Sequence, residues 1–422
     1  LAPWYEETDA DLGVIGLFGV PAMPPRGPFQ TGPLPHGVFA EVAGKGLDRL
    51  GWHWWPMPCA IISEPYMGRL PCNNCGNCQS GCPRGSLADV AVTHWPAAIR
   101  AGVRLRLNAR VLQIESDASG RTTGVVYVDR KTGEQHRQTG DVVIVAANGV
   151  GTPRLLLNSA SNRHPNGLAN SNDMVGRHLM HHGLAMVEIW TDQDLETHKG
   201  NISAAYISHE FAETDVSRGF INGFTMHIIH MNGAGYQALG SHSAHAMPHG
   251  AAHHDWFRSH FNRGFEVLLV GDDLPLPENR VTLSSTVTDS DGMPAPHIDY
   301  HLHPNDQRMM AFAIDRALDL AKAVDATDVA VKQLSKPDAN YQPPAWHLLG
   351  TCRLGSDPAT SVCNQWGQVW EVPNLFLMDG SVLPTGAAVN PTTTIAAVAK
   401  RNAAHLRDHF AEIRTATKTS LI

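Results

Sequence analysis

Four cysteines within eleven residues form the densest group of metal-binding side chains in the sequence. Cys72, Cys75, Cys78 and Cys82, the last followed by Pro83, have the C-x2-C-x2-C-x3-C-P spacing of bacterial iron–sulfur ligands. Thiolates this close together favour soft metals, so an iron–sulfur cluster is one interpretation. Reduced thiols packed in a loop, a structural zinc, and disulfides in an oxidising compartment remain alternatives.

A second group of residues near the carboxyl end could transfer a proton. His347 follows Trp346 in an apolar stretch, and partial burial would keep its imidazole neutral and able to accept a proton. Asn390 and Pro391 are typical of a helix N-cap and first helical residue. The free N–H groups of such an end suit an anion, or a ring that becomes anionic on reduction. A core histidine and a well-capped surface helix are the alternatives.

Histidine is the third unusual feature, with 24 in the chain. Five of them crowd a Gly/Ala-rich stretch: His242, His245, His249, His253 and His254. Imidazoles bind several transition metals, but the stretch has no flanking carboxylate pattern. We therefore expect an ordinary polar loop.

Composition excludes several classes of protein. A hydrophobic fraction of 43% with 17% charged residues is that of a globular protein and excludes wholesale disorder. No run approaches the length of a membrane-spanning helix. A net charge of −8 without a long basic run argues against nucleic acid as a partner. With 422 residues, two domains or one large interleaved unit are expected.

The surrounding pattern predicts the elements that would position these residues. Residues 1–70 are rich in Pro, Gly and Trp and predict irregular structure. Apolar periodicity and its boundaries predict helices at 88–101, 153–160, 304–323 and 391–413. They predict strands at 103–107, 110–116, 121–129, 141–147 and 374–380. The β-branched run at 141–147 resembles a fully buried parallel strand that leads through a glycine turn into a helix.

Together these pieces resemble the glucose–methanol–choline (GMC) family of FAD-dependent oxidoreductases. The most specific stretches are WHLLGTCRLGSDPATSV and VPNLFLMDGSVLPTGAAVNPTTTIAAVAKRNA in the last eighty residues. VVIVAANGVGTPRLLLNSA through VGRHLMHH resembles the family's central segment, and PLPENRVTLSS its substrate domain. The opening residues lack the family's G-x-G-x-x-G loop, so we expect an amino-terminally truncated member that binds FAD weakly.

The resemblance implies a role for each matching residue. His347 would accept the hydroxyl proton of an alcohol, and Asn390 would hydrogen-bond the substrate oxygen. FAD would be contacted by Val111, Ala147, Asp379, Gly380, Asn390, Pro391 and Thr392. His181 and His182 would be structural residues near the domain junction. Cys72, Cys75, Cys78 and Cys82 would match a loop that carries a cluster in the multi-subunit sugar and polyol dehydrogenases of the family.

We therefore predict an α/β fold: a Rossmann-like FAD domain, incomplete at its amino terminus, interleaved with a substrate domain built on an antiparallel sheet flanked by helices. Its predicted parts are residues 1–181, 182–345 and 346–422. The predicted activity is oxidation of an alcohol, sugar or polyol CH–OH group, with electrons passing to a protein or quinone rather than O₂. A GMC-type oxidase and a non-catalytic iron–sulfur electron-transfer protein are the alternatives. The compartment stays open, with the cytoplasm preferred.

Overall fold

The computed structural model describes residues 1–76, 78, 81–201, 206–231, 233–239, 247–334 and 346–419. Its helices are α1 Ala2–Leu12, α2 Val38–Leu50, α3 Val90–Thr93, α4 Trp95–Arg100, α5 Asn148–Asn158, α6 Ala234–Leu239, α7 Ala251–His260, α8 Pro304–Ala323, α9 Thr392–Asp408 and α10 Phe410–Ile413. Its strands are β1 Trp55–Pro56, β2 Ala109–Ser116, β3 Thr122–Asp129, β4 Gln135–Thr139, β5 Val143–Val145, β6 Gly183–Trp190, β7 Tyr206–Ser208, β8 Phe224–His230, β9 Gly264–Gly271, β10 Arg280–Thr288, β11 Pro294–Asp299, β12 Asp328–Gln333 and β13 Leu375–Leu377.

The largest sheet has six antiparallel strands in the order β1-β7-β8-β9-β6-β12. One of its faces packs on α2 and α8 through a shared apolar core. Because side chains alternate along a strand, Thr225 and His227 of β8 and Glu266 of β9 lie on the opposite face. The sheet therefore separates an apolar helix-facing side from a side that carries polar residues.

Helix α8 extends over 304–323, as its apolar periodicity predicts. Pro304 occupies the first turn, and the ring of His303 accepts a hydrogen bond from the N–H of Asn305. Helix α2 approaches α8 closely at Gly46, where a Cβ atom would lie 2.5 Å from a methyl of Val324. Glycine is therefore required there for the two helices to pack.

A second apolar core surrounds the parallel pair of β5 and β13 and includes residues of α5. Val143, Ile144 and Val145 pair with Leu375, Phe376 and Leu377, so the predicted parallel strand is confirmed. Its predicted full burial is wrong, because the side chain of Ile144 is 50% exposed. The antiparallel sheet β2-β3-β4 and the hairpin of β10 and β11 complete the described strands.

Four expectations about elements are wrong. The first seventy residues contain α1 and α2 rather than irregular structure alone. The helix expected at 88–101 is broken at His94, where α4 starts afresh with Pro96 in its first turn. Residues 103–107 form no strand. Helix α5 begins at Asn148, five residues before the predicted start, because Pro153 lies within the helix rather than at its beginning.

The mixed helix and sheet architecture confirms the predicted fold class, including an antiparallel sheet with helices against it. The domain boundaries stay predictions, and the one at 345/346 adjoins residues outside the described ranges. Across the described residues, every helix is too short or too polar to cross a membrane.

Candidate active site

Asp379 joins the ends of the two parallel strands. It follows β13 and caps the short 3₁₀ helix Gly380–Val382 by accepting a hydrogen bond from the N–H of Ser381 at 2.8 Å. Its other oxygen accepts from the N–H of Ala147 at 2.8 Å and from the hydroxyl of Thr152 at 2.5 Å. The buried carboxylate thus places β13 beside the turn from β5 into α5. Ligands of parallel sheets bind at this carboxyl end of the strands.

Two glycines let the segment after His347 pass between these elements. A Cβ atom on Gly149 would lie 2.5 Å from the carbonyl carbon and oxygen of Leu348, and one on Gly380 would lie 2.7 Å from that oxygen. The hydroxyl of Thr351 donates to the carbonyl of Gly149 at 2.7 Å. Only residues without a side chain allow this approach, which fixes the backbone next to His347.

His347 lies at the edge of this packing in a left-handed backbone conformation, with φ 53°. A non-glycine residue in that region costs free energy, and such residues cluster at functional sites. The pKa of His347 is lowered to about 3, mainly by burial and to a smaller extent by the neighbouring His182 and His181. The imidazole is therefore neutral near pH 7, as the sequence predicts.

Asn390 faces the same ring. Its Nδ2 lies 3.3 Å from Nε2 of His347, although the two residues are 43 positions apart. The prediction that Asn390 caps the last helix is wrong: α9 begins at Thr392, its N-cap is Pro391, and no side chain caps it. The exposed carboxamide is directed instead toward His347, which leaves the amino end of α9 open beside it.

His182 also contacts this site, which its interpretation as a structural residue near the domain junction did not include. Its Nδ1 lies 2.8 Å from Nδ1 of His347, and its Nε2 lies 3.2 Å from the carbonyl oxygen of Gly386. The backbone N–H groups of His181 and His182 donate to Asp273 at 3.1 and 3.0 Å. Nothing in the sequence pairs His182 with a residue 165 positions later.

The polar face of the large sheet borders the loop before α9. The hydroxyl of Thr225 donates to the carbonyl of Ala388 at 2.6 Å and contacts Nε2 of His227 at 2.9 Å. Burial lowers the pKa of His227 to about 3, with His209, His347 and His182 contributing. The alternation in Phe224–His230 was the available sequence signal, because it places Thr225 and His227 on one face.

The remaining predicted FAD contacts lie apart from this cluster or at its edge. Pro391 is buried and Thr392 is exposed at the start of α9. Val111 lies on β2, where the strand pairing shifts register. The adjacent carbonyl of Leu112 accepts from Asn158, at the far end of α5 from Ala147. The eleven-residue helix α5 separates Asn158 from Ala147 by about 15 Å.

The four clustered cysteines are not placed as a ligand set. Among the residues that the structure describes, no three or more His, Cys, Asp or Glu side chains could hold a metal ion. In the described part of the chain, no cysteine forms a disulfide. Burial raises the pKa of Cys72. Burial also acts to raise that of Cys82, but hydrogen bonds from Leu87 and its neighbours lower the pKa overall. The iron–sulfur interpretation therefore gains no support.

The histidine-rich stretch is described in part. His242 and His245 lie outside the described residues. Nε2 of His253 contacts the carbonyl of Ala238 at 2.7 Å, and the ring of His253 stacks on Phe257. His253 and His254 lie in helix α7, so the expected loop is wrong for this part of the stretch.

Comparison with known proteins identifies the family. Two profiles described as GMC oxidoreductase match residues 39–184 and 275–399. The chain belongs to the GMC oxidoreductase family. It is 44% identical over 98% of its length to 2-methyl-1,2-propanediol dehydrogenase of Mycolicibacterium austroafricanum, of which it covers 74%. It is 30% identical over 96% of its length to the fructose dehydrogenase large subunit of Gluconobacter japonicus, of which it covers 72%. It is 32% identical over 99% of its length to 6'''-hydroxyparomomycin C oxidase of Streptomyces lividus, of which it covers 72%.

The GMC chain is accordingly an FAD-dependent oxidoreductase that acts on CH–OH groups, and the non-catalytic alternative is wrong. The residues present fit the cofactor that the family implies. The ends of two parallel strands meet at Asp379, and Gly149 and Gly380 keep side chains out of the packing there. The uncapped amino end of α9 directs N–H groups to the same region.

Proposed function

We propose that this GMC oxidoreductase oxidises a hydroxyl group of a small polyol, with His347 as the proton acceptor. Three relatives that match nearly the whole chain are named 2-methyl-1,2-propanediol dehydrogenase, fructose dehydrogenase large subunit and 6'''-hydroxyparomomycin C oxidase. A vicinal diol is the first substrate to test, because the relative at 44% identity is named a diol dehydrogenase.

The pairing of His347 with Asn390 carries the proposal. A general base must be neutral at the working pH and within hydrogen-bond reach of the proton that it removes. Nε2 of His347 lies 3.3 Å from the Asn390 amide, so a hydroxyl oxygen placed beside the pair would contact both nitrogens. Asn390 would donate a hydrogen bond to that oxygen and hold the hydroxyl against His347.

FAD, when bound, supplies the acceptor for the hydride that leaves the substrate carbon. Asp379, Gly380 and Ala147 would hold its central part, and Pro391 and Thr392 would place the amino end of α9 near the ring. Val111 would contact the adenine. Nε2 of His347 would accept the hydroxyl proton, and loss of this proton and of the carbon-bound hydride converts the CH–OH group into a carbonyl.

We propose further that the electrons leave to an acceptor other than O₂, a protein or a quinone. The names of two relatives, both dehydrogenases, support this preference. Direct use of O₂ is the competing outcome, because a relative at 32% identity is named an oxidase. Turnover of 2-methyl-1,2-propanediol with an artificial dye under argon, compared with O₂ uptake in air, separates the two.

Replacement of His347 tests the catalytic role. In the FAD-loaded protein, His347→Gln should lower turnover by roughly 10²–10⁴-fold, the usual contribution of a general base, while flavin absorbance stays. His297→Gln is the matched control, because His297 lies exposed on β11. Turnover of His347→Gln within twofold of the parent would refute the assignment.

A further inference from the structure

His182 is completely buried and held in one orientation. Its backbone has φ 70°, a left-handed conformation, and its N–H donates to Asp273 at 3.0 Å. The hydroxyl of Tyr300 donates to the same carboxylate at 2.7 Å. This support fixes the ring with one nitrogen at His347 and the other at Gly386. Asp273 therefore holds the backbone of His182, and His347 and Gly386 contact its ring.

The contacts of the two rings determine which nitrogens carry protons. The carbonyl oxygen of Gly386 can only accept, so Nε2 of His182 bears a hydrogen. In the neutral ring Nδ1 of His182 then has the lone pair, and Nδ1–H of His347 donates to it across 2.8 Å. Nε2 of His347 is left without a proton, in agreement with the amide of Asn390 donating to it.

The surroundings favour the neutral form of His347. Burial without a free counter-charge disfavours an imidazolium. The groups that face the pair are His181, His227, Asp272 and Asp273. Asp273 is already bound by two N–H groups and a hydroxyl. Burial and, to a smaller extent, the charges of Asp273 and Asp306 raise the pKa of Asp272 to about 7. Below neutral pH, Asp272 therefore supplies no negative charge that would stabilise an imidazolium.

We propose that His182 is a positioning residue: by accepting the Nδ1 proton of His347 while donating to Gly386, it holds His347 in the tautomer whose Nε2 can remove a substrate proton. The proposal rests on the proposed role of His347 as base. Without His182, either nitrogen of His347 could carry the proton, and part of the protein would present an N–H to the substrate.

The tautomer can be measured without turnover. In protein labelled with nitrogen-15 histidine, long-range nitrogen–proton correlation spectra distinguish protonated from unprotonated ring nitrogens, and His347→Gln identifies the signals of His347. We expect the parent protein to show a protonated Nδ1 and an unprotonated Nε2 at His347 near neutral pH. A protonated Nε2 there would overturn the proposal, and this measurement needs no variant of His182.

Two substitutions of His182 separate hydrogen bonding from packing. Asn places an oxygen near the position of Nδ1 and should keep the His347 tautomer, whereas Leu offers no acceptor and should give a mixture. His181→Asn is the matched control, because this neighbour is equally buried but its ring packs on Tyr300, with centroids 4.0 Å apart. An unchanged His347 tautomer in folded His182→Leu would contradict the proposal.

Turnover provides the second readout. Loss of the fixed tautomer should lower kcat by roughly 10²-fold in His182→Leu, at the lower end of what a general base contributes, with KM little changed. His182→Asn should recover most of that loss. If the tautomer behaves as expected while His347→Gln stays active, the proposed function fails but the role of His182 in fixing the proton stands.

Discussion

The carboxylate of Asp379 accepts a hydrogen bond from the N–H of Ala147 at 2.8 Å, which connects two residues 232 positions apart. This contact holds the end of β13 beside the turn into α5, and the hydroxyl of Thr152 donates to the same oxygen. Both segments adjoin the backbone that carries His347. Asp379 therefore has a structural role in addition to its proposed contact with FAD.

Replacement of Asp379 should expose this structural role. Asp379→Ala leaves three donors without their acceptor, and each hydrogen bond to a charged group contributes about 1.5–3 kcal/mol. We expect the free energy of unfolding in urea to fall by several kcal/mol. Thr152→Val removes one of the three donors and should cost less than half as much. Equal losses in both variants would show that the carboxylate is not the common partner.

The lowered pKa of His347 predicts an unusual pH dependence. An ordinary histidine loses its function as a base near its pKa of 6.5 as pH falls, whereas His347, with a pKa of about 3, stays unprotonated to a much lower pH. We expect the acid limb of the kcat/KM profile to lie at a pH below about 5. The facing groups His181, His182, His227, Asp272 and Asp273 affect its position.

Asp272 provides the control for that profile. Its pKa of about 7 predicts a smaller inflection near neutrality, where a new negative charge makes the nearby imidazoles more basic. Asp272→Asn should remove this inflection and leave the acid limb in place. An acid limb near pH 6.5 in the parent enzyme would mean that His347 is solvated in the working state.

Asn390 should contribute to substrate orientation more than to stability. Its side chain is exposed, and its described contact is with Nε2 of His347. Asn390→Ala should leave the free energy of unfolding within about 0.5 kcal/mol, as for other surface changes. The same change should lower kcat/KM by about tenfold or more through the lost hydrogen bond to the reacting oxygen. A large stability loss with unchanged kcat/KM would reverse this assignment.

Features of the structure were predictable from the sequence where the signal was a local pattern of residues. Helix α8 and the strands at Thr122–Asp129 and Leu375–Leu377 have clear periodicity and turn residues, and all were predictable. His347 and Asn390 came from motif resemblance, and the structure brings them within 3.3 Å. The partnership of His182 with His347 was not predictable, because it depends on how separate segments pack.

Boundaries failed where a local rule competed with tertiary packing. Asn390 has the residue type and spacing of an N-cap, yet the helix begins two residues later, and the side chain contacts His347 instead. Pro153 marks a helix start in the sequence, but α5 begins at Asn148 because the turn bonds of the Asn148 side chain to Val150 and Gly151 initiate it earlier.

Glu266 makes the stability of the large sheet depend on pH. It pairs with Glu188 across two strands, and burial first, then the charge of Glu188, raises its pKa from 4.5 to about 8, while Lys332 opposes this. Between these values the folded protein keeps a proton that the unfolded chain releases. The contribution of Glu266 to the free energy of unfolding is therefore fully present below pH 4.5 and is lost as the pH rises through about 8.

Glu266→Gln should remove that dependence, since the amide resembles the protonated acid. We expect the variant to be more stable than the parent by up to a few kcal/mol at about pH 9, and nearly equal to it at about pH 4. Thermal or urea unfolding across this range measures the difference. Glu64→Gln, at an exposed position, should leave the parent's pH dependence unchanged. If the curves of stability against pH for Glu266→Gln and the parent run parallel, Glu266 is ionised in the folded state.

Two glycines of α5 offer a matched test of the packing that positions His347. Alanine usually stabilises a helix by up to about 1 kcal/mol relative to glycine. At Gly149 its Cβ would lie 2.5 Å from the backbone of Leu348, which cannot move without displacing His347. At Gly151 the nearest atom is the Cβ of Ala147, 3.3 Å away. We therefore expect Gly149→Ala to destabilise the protein by about 1–3 kcal/mol, the usual cost of overpacking.

Gly149→Ala should also lower kcat/KM, because the displaced segment carries the catalytic imidazole. Gly151→Ala should keep turnover and change the free energy of unfolding by less than about 1 kcal/mol. Urea unfolding and diol oxidation on the same preparations give both quantities. If the two alanine variants behave alike, the close approach at Leu348 does not position His347, and the left-handed backbone at that residue must be supported from the side of His182 instead.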